Sequence, residues 1–280
     1  MRFKKLEIKE WQQFEKIDIS FHDQLTILTG ANGSGKSTII EKILAKHCGW
    51  QSQSCATPKK VKGSGVLSYF SRLWNGEAKD EKVIGDLLYN SNLRVALTVP
   101  INQDFPEYQI ELSGAQLVKC LFIPSNRPIF RYQSLSSIPV SKKSKQSASD
   151  EASNVTRSRY HGHNSQSSSF FMKNTLIGWA IQGYGNKVID NDDEQISYYE
   201  GFQDVLKKVL PRSLRFESLE IRNMDVIFVC NDKKDEFMFE QASGGISALI
   251  DLAWQIYVYS TKDNMILPRL CRHSHATILN

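Results

Sequence analysis

The sequence has few cysteines and no motif that pairs them. Its five, at Cys48, Cys55, Cys120, Cys230 and Cys271, are scattered without a C-x-x-C pair. That spacing argues against a zinc site or a disulfide framework, and the odd number suits a reducing cytosol. No apolar run reaches membrane-spanning length; the best candidate, residues 246–259, is interrupted by Asp251. The N-terminal charges are not followed by an apolar h-region, so no secretion signal is expected. There is no long heptad segment. A cytoplasmic chain without a membrane partner is the expectation. At 280 residues, with 41% apolar content, it can build one large domain or two ordinary ones. The net charge of +5 permits contact with nucleic acid without demanding it.

What is present is a glycine loop. Gly30-Ala31-Asn32-Gly33-Ser34-Gly35-Lys36-Ser37-Thr38 matches G-x-x-x-x-G-K-[ST], the P-loop or Walker A pattern. The run Gln24–Thr29 before it is short, apolar and β-branched, and predicts a buried strand. The run Ile39–Lys46 after it has helical apolar spacing. In such a loop the glycines let backbone N–H groups turn around the α- and β-phosphates, and the helix N-terminus adds partial positive charge. Lys36 can reach the β- and γ-phosphates, and the Ser37 hydroxyl can ligand Mg²⁺. ATP and Mg²⁺ are therefore the expected cofactors. The loop fixes a ligand class without fixing a reaction.

Residues 2–21 alternate around a polar break at Glu10–Gln13 and predict two antiparallel strands leading into the P-loop strand. On the stretch Leu6–Phe21 and the loop Thr29–Thr38, the chain resembles the ATP-binding heads of the ABC superfamily, in the branch of SMC proteins, RecF and OLD-type ATPases. The resemblance implies an α/β P-loop NTPase, ABC-ATPase-like, with an antiparallel β-subdomain and a polar insertion.

Further along, Lys59, Lys60 and Lys62 read as a solvated loop or a phosphate contact. Residues 65–74 predict a strand and Lys82–Tyr89 a short helix. Leu93–Val99, Tyr108–Leu112 and Val118–Ile123 predict antiparallel strands of the β-subdomain. In the branch the chain resembles, a strand delivers a polar loop near the active site; Arg127 is the residue to watch there, or an ordinary surface arginine. Gln133 is a candidate for the metal-sensing glutamine of the ABC Q-loop. Residues 134–169, rich in serine and lysine, predict a mobile insertion. Its Arg157, Arg159 and Tyr160 suit a nucleic-acid contact or a solvated linker; His161 and His163 are too few for a metal site. A packed helix over 170–183 is expected. Asn191–Glu194 reads as the acidic cap of a helix over 195–210, ended by Pro211. Strands follow at 214–221, 225–230 and 236–239. This divides the chain into an ATPase lobe (1–133), the insertion (134–169) and a C-terminal lobe (170–280).

Ser243-Gly244-Gly245, before the apolar stretch 247–259, resembles the ABC signature, with Ala242 and Ile246 departing from it. A serine and two glycines at a helix N-terminus present N–H groups, a hydroxyl and a dipole to an anion. The resemblance implies contact with the γ-phosphate held by the opposite protomer, hence a homodimer formed through ATP. It also implies contact with DNA and with a nuclease or other effector. The family should next show an apolar strand ending in Asp-Glu, the Walker B pair that orders Mg²⁺ and polarises the attacking water. After Ser243 the only acidic residues are Asp251 and Asp263, and neither follows an apolar strand. His273 and His275 lack the context of a switch histidine. No residue is assigned a catalytic role. Either the chain is truncated or shifted in frame near residue 265, or it is an ATP-gated module that does not hydrolyse. The third reading, the ATPase subunit of a membrane transporter, fits the N-terminal hairpin and the altered signature less well.

Overall fold

The computed structural model describes residues 1–56, 59–60, 67–68, 81–100, 106–116, 118–125, 129–137, 139, 141–160, 167–185, 190–261, 264–268 and 276–279. Arg127, Lys62, His161, His163, Asp263, His273, His275 and most of 65–74 lie outside them.

β1 (Phe3–Trp11) and β2 (Phe14–Ser20) form the expected antiparallel hairpin. Alternation sends Leu6 and Ile8 fully into the core, with Trp11 and Phe14 nearly so. β3 (Thr26–Thr29) follows. It is less buried than its composition predicts: Leu25 and Ile27 are 44% and 48% exposed. Apolar content makes a strand buried only where neighbours cover it, and among the described residues β3 pairs with a single strand. After the glycine loop the chain winds as a π turn (Thr38–Ile43) and a 3₁₀ turn (Leu44–Cys48), in place of the expected regular helix. Ile39, Ile40, Ile43, Leu44 and Ala45 are all buried. That spacing suits any helical winding, so the sequence cannot choose between them.

β4 (Ser54–Cys55), β5 (Lys59–Lys60) and β6 (Leu67–Ser68) are two-residue pieces. β7 (Glu81–Tyr89) is a strand, correcting the helix predicted over Lys82–Tyr89. Its apolar residues Val83, Ile84, Leu87 and Leu88 fit a helical stripe as well as a bulged strand. Pairing with β1 on one side and β8 (Arg94–Pro100) on the other decides the matter. At Gly85, beside a register shift, a Cβ would overlap the Glu7 carbonyl of β1. Glycine is therefore what lets β7 lie against β1. The strand predicted over 108–112 is split into β9 (Glu107–Tyr108) and β10 (Glu111–Leu112), and β11 (Cys120–Ile123) follows. The main sheet runs β10-β8-β7-β1-β2, antiparallel throughout.

α1 (Lys145–Tyr160) replaces much of the mobile insertion expected over 134–169. Its buried stripe is made of Ala148, Ser149, Val155 and Thr156. Small and polar residues hide a helix from a compositional reading, yet they let two helices approach closely. α2 (Ser168–Tyr184) and α3 (Asp193–Val209) match expectation. The Asp192 carboxylate accepts from the amides of Glu194 and Gln195 at 3.0 and 3.2 Å, as the capping reading of 191–194 requires. β12 (Phe216–Arg222), β13 (Asp225–Cys230) and β14 (Asp235–Met238) form an antiparallel sheet. α4 (Gly244–Tyr259) comes next. β15 (Met265–Pro268) is buried at all four residues and runs parallel to β11. β16 (Ala276–Leu279) pairs antiparallel with β3.

Two compact units result: Met1–Ser125 with Asp263–Asn280, and Asn126–Lys262. The C-terminal residues thus join the N-terminal lobe rather than a lobe of 170–280, because β11 recruits β15. The core of the first unit gathers Leu6, Ile8, Ile40, Leu44 and Leu267. That of the second gathers Trp179, Phe202, Phe228, Phe239 and Trp254. Cys48 and Cys120 form a disulfide across 72 residues, correcting the expectation of unpaired thiols. The pairing arises from topology, which brings the end of the 3₁₀ turn against the start of β11, and no local spacing announces it.

Gly85→Ala is expected to lower the stability of the first unit by about 2 kcal/mol or more, since backbone must yield to the new methyl group; urea unfolding measures the loss. Burial holds the His47 imidazole below its ordinary value, so the unfolded chain binds its proton more readily. This contribution is fully present above the unfolded pKa of about 6.5 and fades as pH falls below it. Melting curves between about pH 7.5 and 5.5 should show a drop that His47→Gln reduces.

Candidate functional site

The loop 30–38 sits in the first unit between β3 and the π turn. Three of its glycines occupy left-handed backbone: Gly30 at φ 148°, Gly33 at 83° and Gly35 at 90°. Residues with a side chain rarely adopt these angles, and together they fold the loop back on itself. Gly35 carries a second constraint. A Cβ there would collide with the Phe14 ring and lie 2.6 Å from Gln13 Nε2. The tip of the β1–β2 hairpin is therefore the wall on which the loop rests.

The Lys36 ammonium is drawn into the loop. It donates to the carbonyls of Gly30 at 2.7 Å and Ala31 at 2.9 Å, and to Ser34 Oγ at 3.3 Å. The Ser34 amide closes the turn on the Ala31 carbonyl at 3.2 Å, and the Ile39 amide reaches the Gly35 carbonyl at 3.0 Å. Ala31, Asn32, Gly33 and Ser34 are exposed, whereas Gly35 is buried and Lys36, Ser37 and Thr38 are half-buried. The anchor is thus fixed while the tip faces outward. Ser37 occupies the N-cap position in helical geometry and makes no side-chain capping bond. A phosphate chain fits this cradle chemically. Backbone N–H groups, a lysine held centrally and a hydroxyl at the helical start are the donor set that ATP and a hard divalent cation require.

Ser243, Gly244 and Gly245 lie in the second unit, at the start of α4. Ser243 is its N-cap, with no side-chain capping bond. Added Cβ atoms at Gly244 and Gly245 would meet nothing within 4 Å. These glycines are not demanded by crowding inside the unit, and they leave bare backbone at the helix start. The turn is fastened from behind: the Ser247 amide bonds the Ser243 carbonyl at 2.8 Å, Ser247 Oγ bonds the Ala242 carbonyl at 3.1 Å, and the Gln241 side chain accepts from the Met238 amide at 2.9 Å.

Sequence reasoning missed the polar group leading into this turn. Lys173 on α2 is fully buried, 2.8 Å from Asp225 on β13 and 3.3 Å from Glu240, three residues before Ser243. The Tyr132 ring lies 4.7 Å from its Nζ. The one charged residue of α2 was the available signal, but its carboxylate partner Asp225 is 52 residues away and Glu240 is farther still.

Other expected site residues have structural duties. Gln133, the Q-loop candidate, accepts from the amide of Ser167, the N-cap of α2. Arg159 is half-buried; burial lowers its pKa and the Asp251 carboxylate opposes that shift. Arg157 and Tyr160 beside it are exposed. Asp251 itself is buried within α4 and accepts from Gln255 at 2.9 Å. β15 ends at Pro268, and no acidic residue follows it in the sequence. No group of three or more potential metal-ligating side chains occurs among the described residues. Nor is any described helix long and apolar enough to cross a membrane.

A family model described as AAA domain matches residues 5–242. The span takes in most of the hairpin, the P-loop and the β12–β14 sheet, and stops one residue before Ser243. No curated protein matches the chain.

Gly35→Ala should abolish nucleotide binding and also reduce thermal stability, because the methyl group displaces Phe14. Gly33→Ala, where an added Cβ meets nothing within 4 Å, should weaken binding with a smaller loss of stability. Parallel melting and nucleotide titrations separate the two effects.

Proposed function

The chain belongs to the AAA-domain family, and from that premise we propose that it is an ATP-binding head of the SMC/RecF/OLD type. The observation that carries this reading is the loop Gly30–Thr38. It has three left-handed glycines and a centrally held Lys36, and stands between a strand and a helical turn. In the proposed complex its amides and Lys36 hold the phosphates of ATP, and Ser37 contributes to the Mg²⁺ shell. Ser243, Gly244 and Gly245 would receive the γ-phosphate of a second protomer, so that ATP joins two heads. The bare glycine backbone at the start of α4 supports this part of the proposal. The output of such a switch, by family analogy, is work on DNA in repair or in defence against phage, with a nuclease or another effector as partner.

Hydrolysis is proposed to be weak in this chain. Turnover needs a carboxylate to order Mg²⁺ and polarise water. The expected position lies directly after an apolar strand, and β15 ends in Pro268 and is followed by Arg269 and Leu270 rather than by Asp-Glu. A non-hydrolysing, ATP-gated binding module is the second reading, and that same strand end favours it.

Titration with a fluorescent ATP analogue should show Mg²⁺-dependent binding that Lys36→Ala weakens at least about tenfold. Sedimentation should show a dimer with ATP that Ser243→Arg prevents while leaving nucleotide affinity intact. Dimerisation indifferent to ATP would remove the sandwich. Turnover at ordinary enzyme rates, about 1 per second or faster, and lost in Lys36→Ala, would remove the proposed hydrolytic defect.

A further inference from the structure

The disulfide lies in an informative place. Cys48 closes the helical segment that begins at the P-loop, and Cys120 opens β11. Both are half-buried rather than sealed in the core, so a small thiol can reach them. In a reducing compartment a bridge of this kind is characteristically transient and redox-sensing.

The segment it anchors is irregular. From Thr38 to Ile43 it is wound as a π turn, and from Leu44 to Cys48 as a 3₁₀ turn. At the junction Ile43 departs to φ −114°, ψ −65°, and the Leu44 amide is shared between the carbonyls of Ile39 and Ile40. Such windings mark functional hinges more often than ordinary helix. Their sequence does not demand them, since no glycine or proline interrupts residues 38–48. The far end is held by its surroundings. Gly49 turns left-handed at φ 72°, Trp50 packs edge-on against Phe122 at 5.0 Å, and His47 meets the Tyr89 hydroxyl at 2.6 Å. Lys46 also reaches the Ile110 carbonyl. These contacts keep the fold together without the bridge, while the bridge fixes where the last residue of the segment must end.

We propose that Cys48 and Cys120 form a reversible redox switch on the phosphate loop, the oxidised pair holding the segment 38–48 in its π/3₁₀ winding and weakening ATP binding. The inference rests on the nucleotide-binding reading above. Reduction lets the segment rewind toward a regular α-helix, which aligns the N–H groups after Lys36 along one axis toward the phosphates. The reductant is a low-molecular-weight thiol such as glutathione. One thiolate attacks a sulfur of the bridge, forming a mixed disulfide and releasing one cysteine as a thiolate that takes up a proton. A second glutathione thiolate attacks the mixed disulfide. It releases the other cysteine, likewise protonated, and glutathione disulfide. Two electrons pass to the protein, and the reverse exchange restores the bridge.

The test uses the full chain carrying Cys55→Ser, which removes an exposed thiol, equilibrated in reduced or oxidised glutathione. Peptide mass mapping without reductant should find Cys48 joined to Cys120 in the oxidised sample only. The fluorescent ATP analogue should bind about fivefold more tightly to the reduced sample. Additional Cys48→Ser and Cys120→Ser substitutions should give the reduced affinity in both buffers. Absence of the 48–120 link under oxidised glutathione overturns the proposal, as does equal affinity in the two states. If neither state binds nucleotide, the ATP reading fails, and hydrogen exchange over 38–48 decides the switch. Slower exchange on reduction, as the regular helix forms, supports it, and unchanged or faster exchange overturns it.

Discussion

The contact on which the first unit depends is that of Phe14 with Gly35. The ring occupies the space that a side chain at residue 35 would need, and the glycine sits at a backbone angle that side chains avoid. Hairpin and loop are therefore one constraint rather than two neighbouring features. Phe14 is itself held by its cross-strand partner Trp11, whose ring lies 6.0 Å away and whose indole N–H donates to Tyr108 at 3.1 Å. A line of fixed contacts runs from the strands beyond residue 100, through the hairpin, to the lysine that would hold phosphate. A loop that must present unpaired backbone groups cannot stabilise itself, and here a β-sheet does so.

The second unit solves a different problem. Its core is aromatic, with Trp179, Phe202 and Trp254 in contact, yet it encloses charge. Lys173 lies between two carboxylates, and Arg159 beside Asp251. Removing water from such groups is expensive, and each is tolerated because an opposite charge stands close by. Both groups bear on α4: Glu240 lies just before its first turn, and Asp251 lies within it. The placement of the Ser243 turn is thus tied to buried polar geometry as well as to apolar packing.

Disulfide, β15 and α1 share one lesson about distance. Cys48 pairs with a residue 72 positions on. Met265–Pro268 looks like an unremarkable apolar run until β11 is set beside it in parallel. α1 is a polar, serine-rich stretch whose Ala148 and Val155 acquire meaning only against the helices that cover them. In each case the deciding contact is remote in the chain, so no window of sequence contains it. Where partners are near, the reading succeeds. The β1–β2 turn, the Asp192 cap and the break at Pro211 are set by residues within a few positions of one another.

By itself the sequence determined the P-loop pattern. Gly30, Gly33 and Gly35 are legible in it because glycine tolerates the left-handed angles that this turn uses. It also determined the hairpin, through alternation, and the start of α4, through Ser243 and its two glycines. Tertiary structure decided what those pieces rest on. It made 81–89 a strand, because two neighbours offered hydrogen bonds to both edges of a segment whose apolar pattern suited either state. It wound 38–48 as π and 3₁₀ turns under the hold of β11 and Trp50. It placed Lys173 inside and left Ile27 outside, since burial is conferred by whatever packs alongside and is written in no residue's identity.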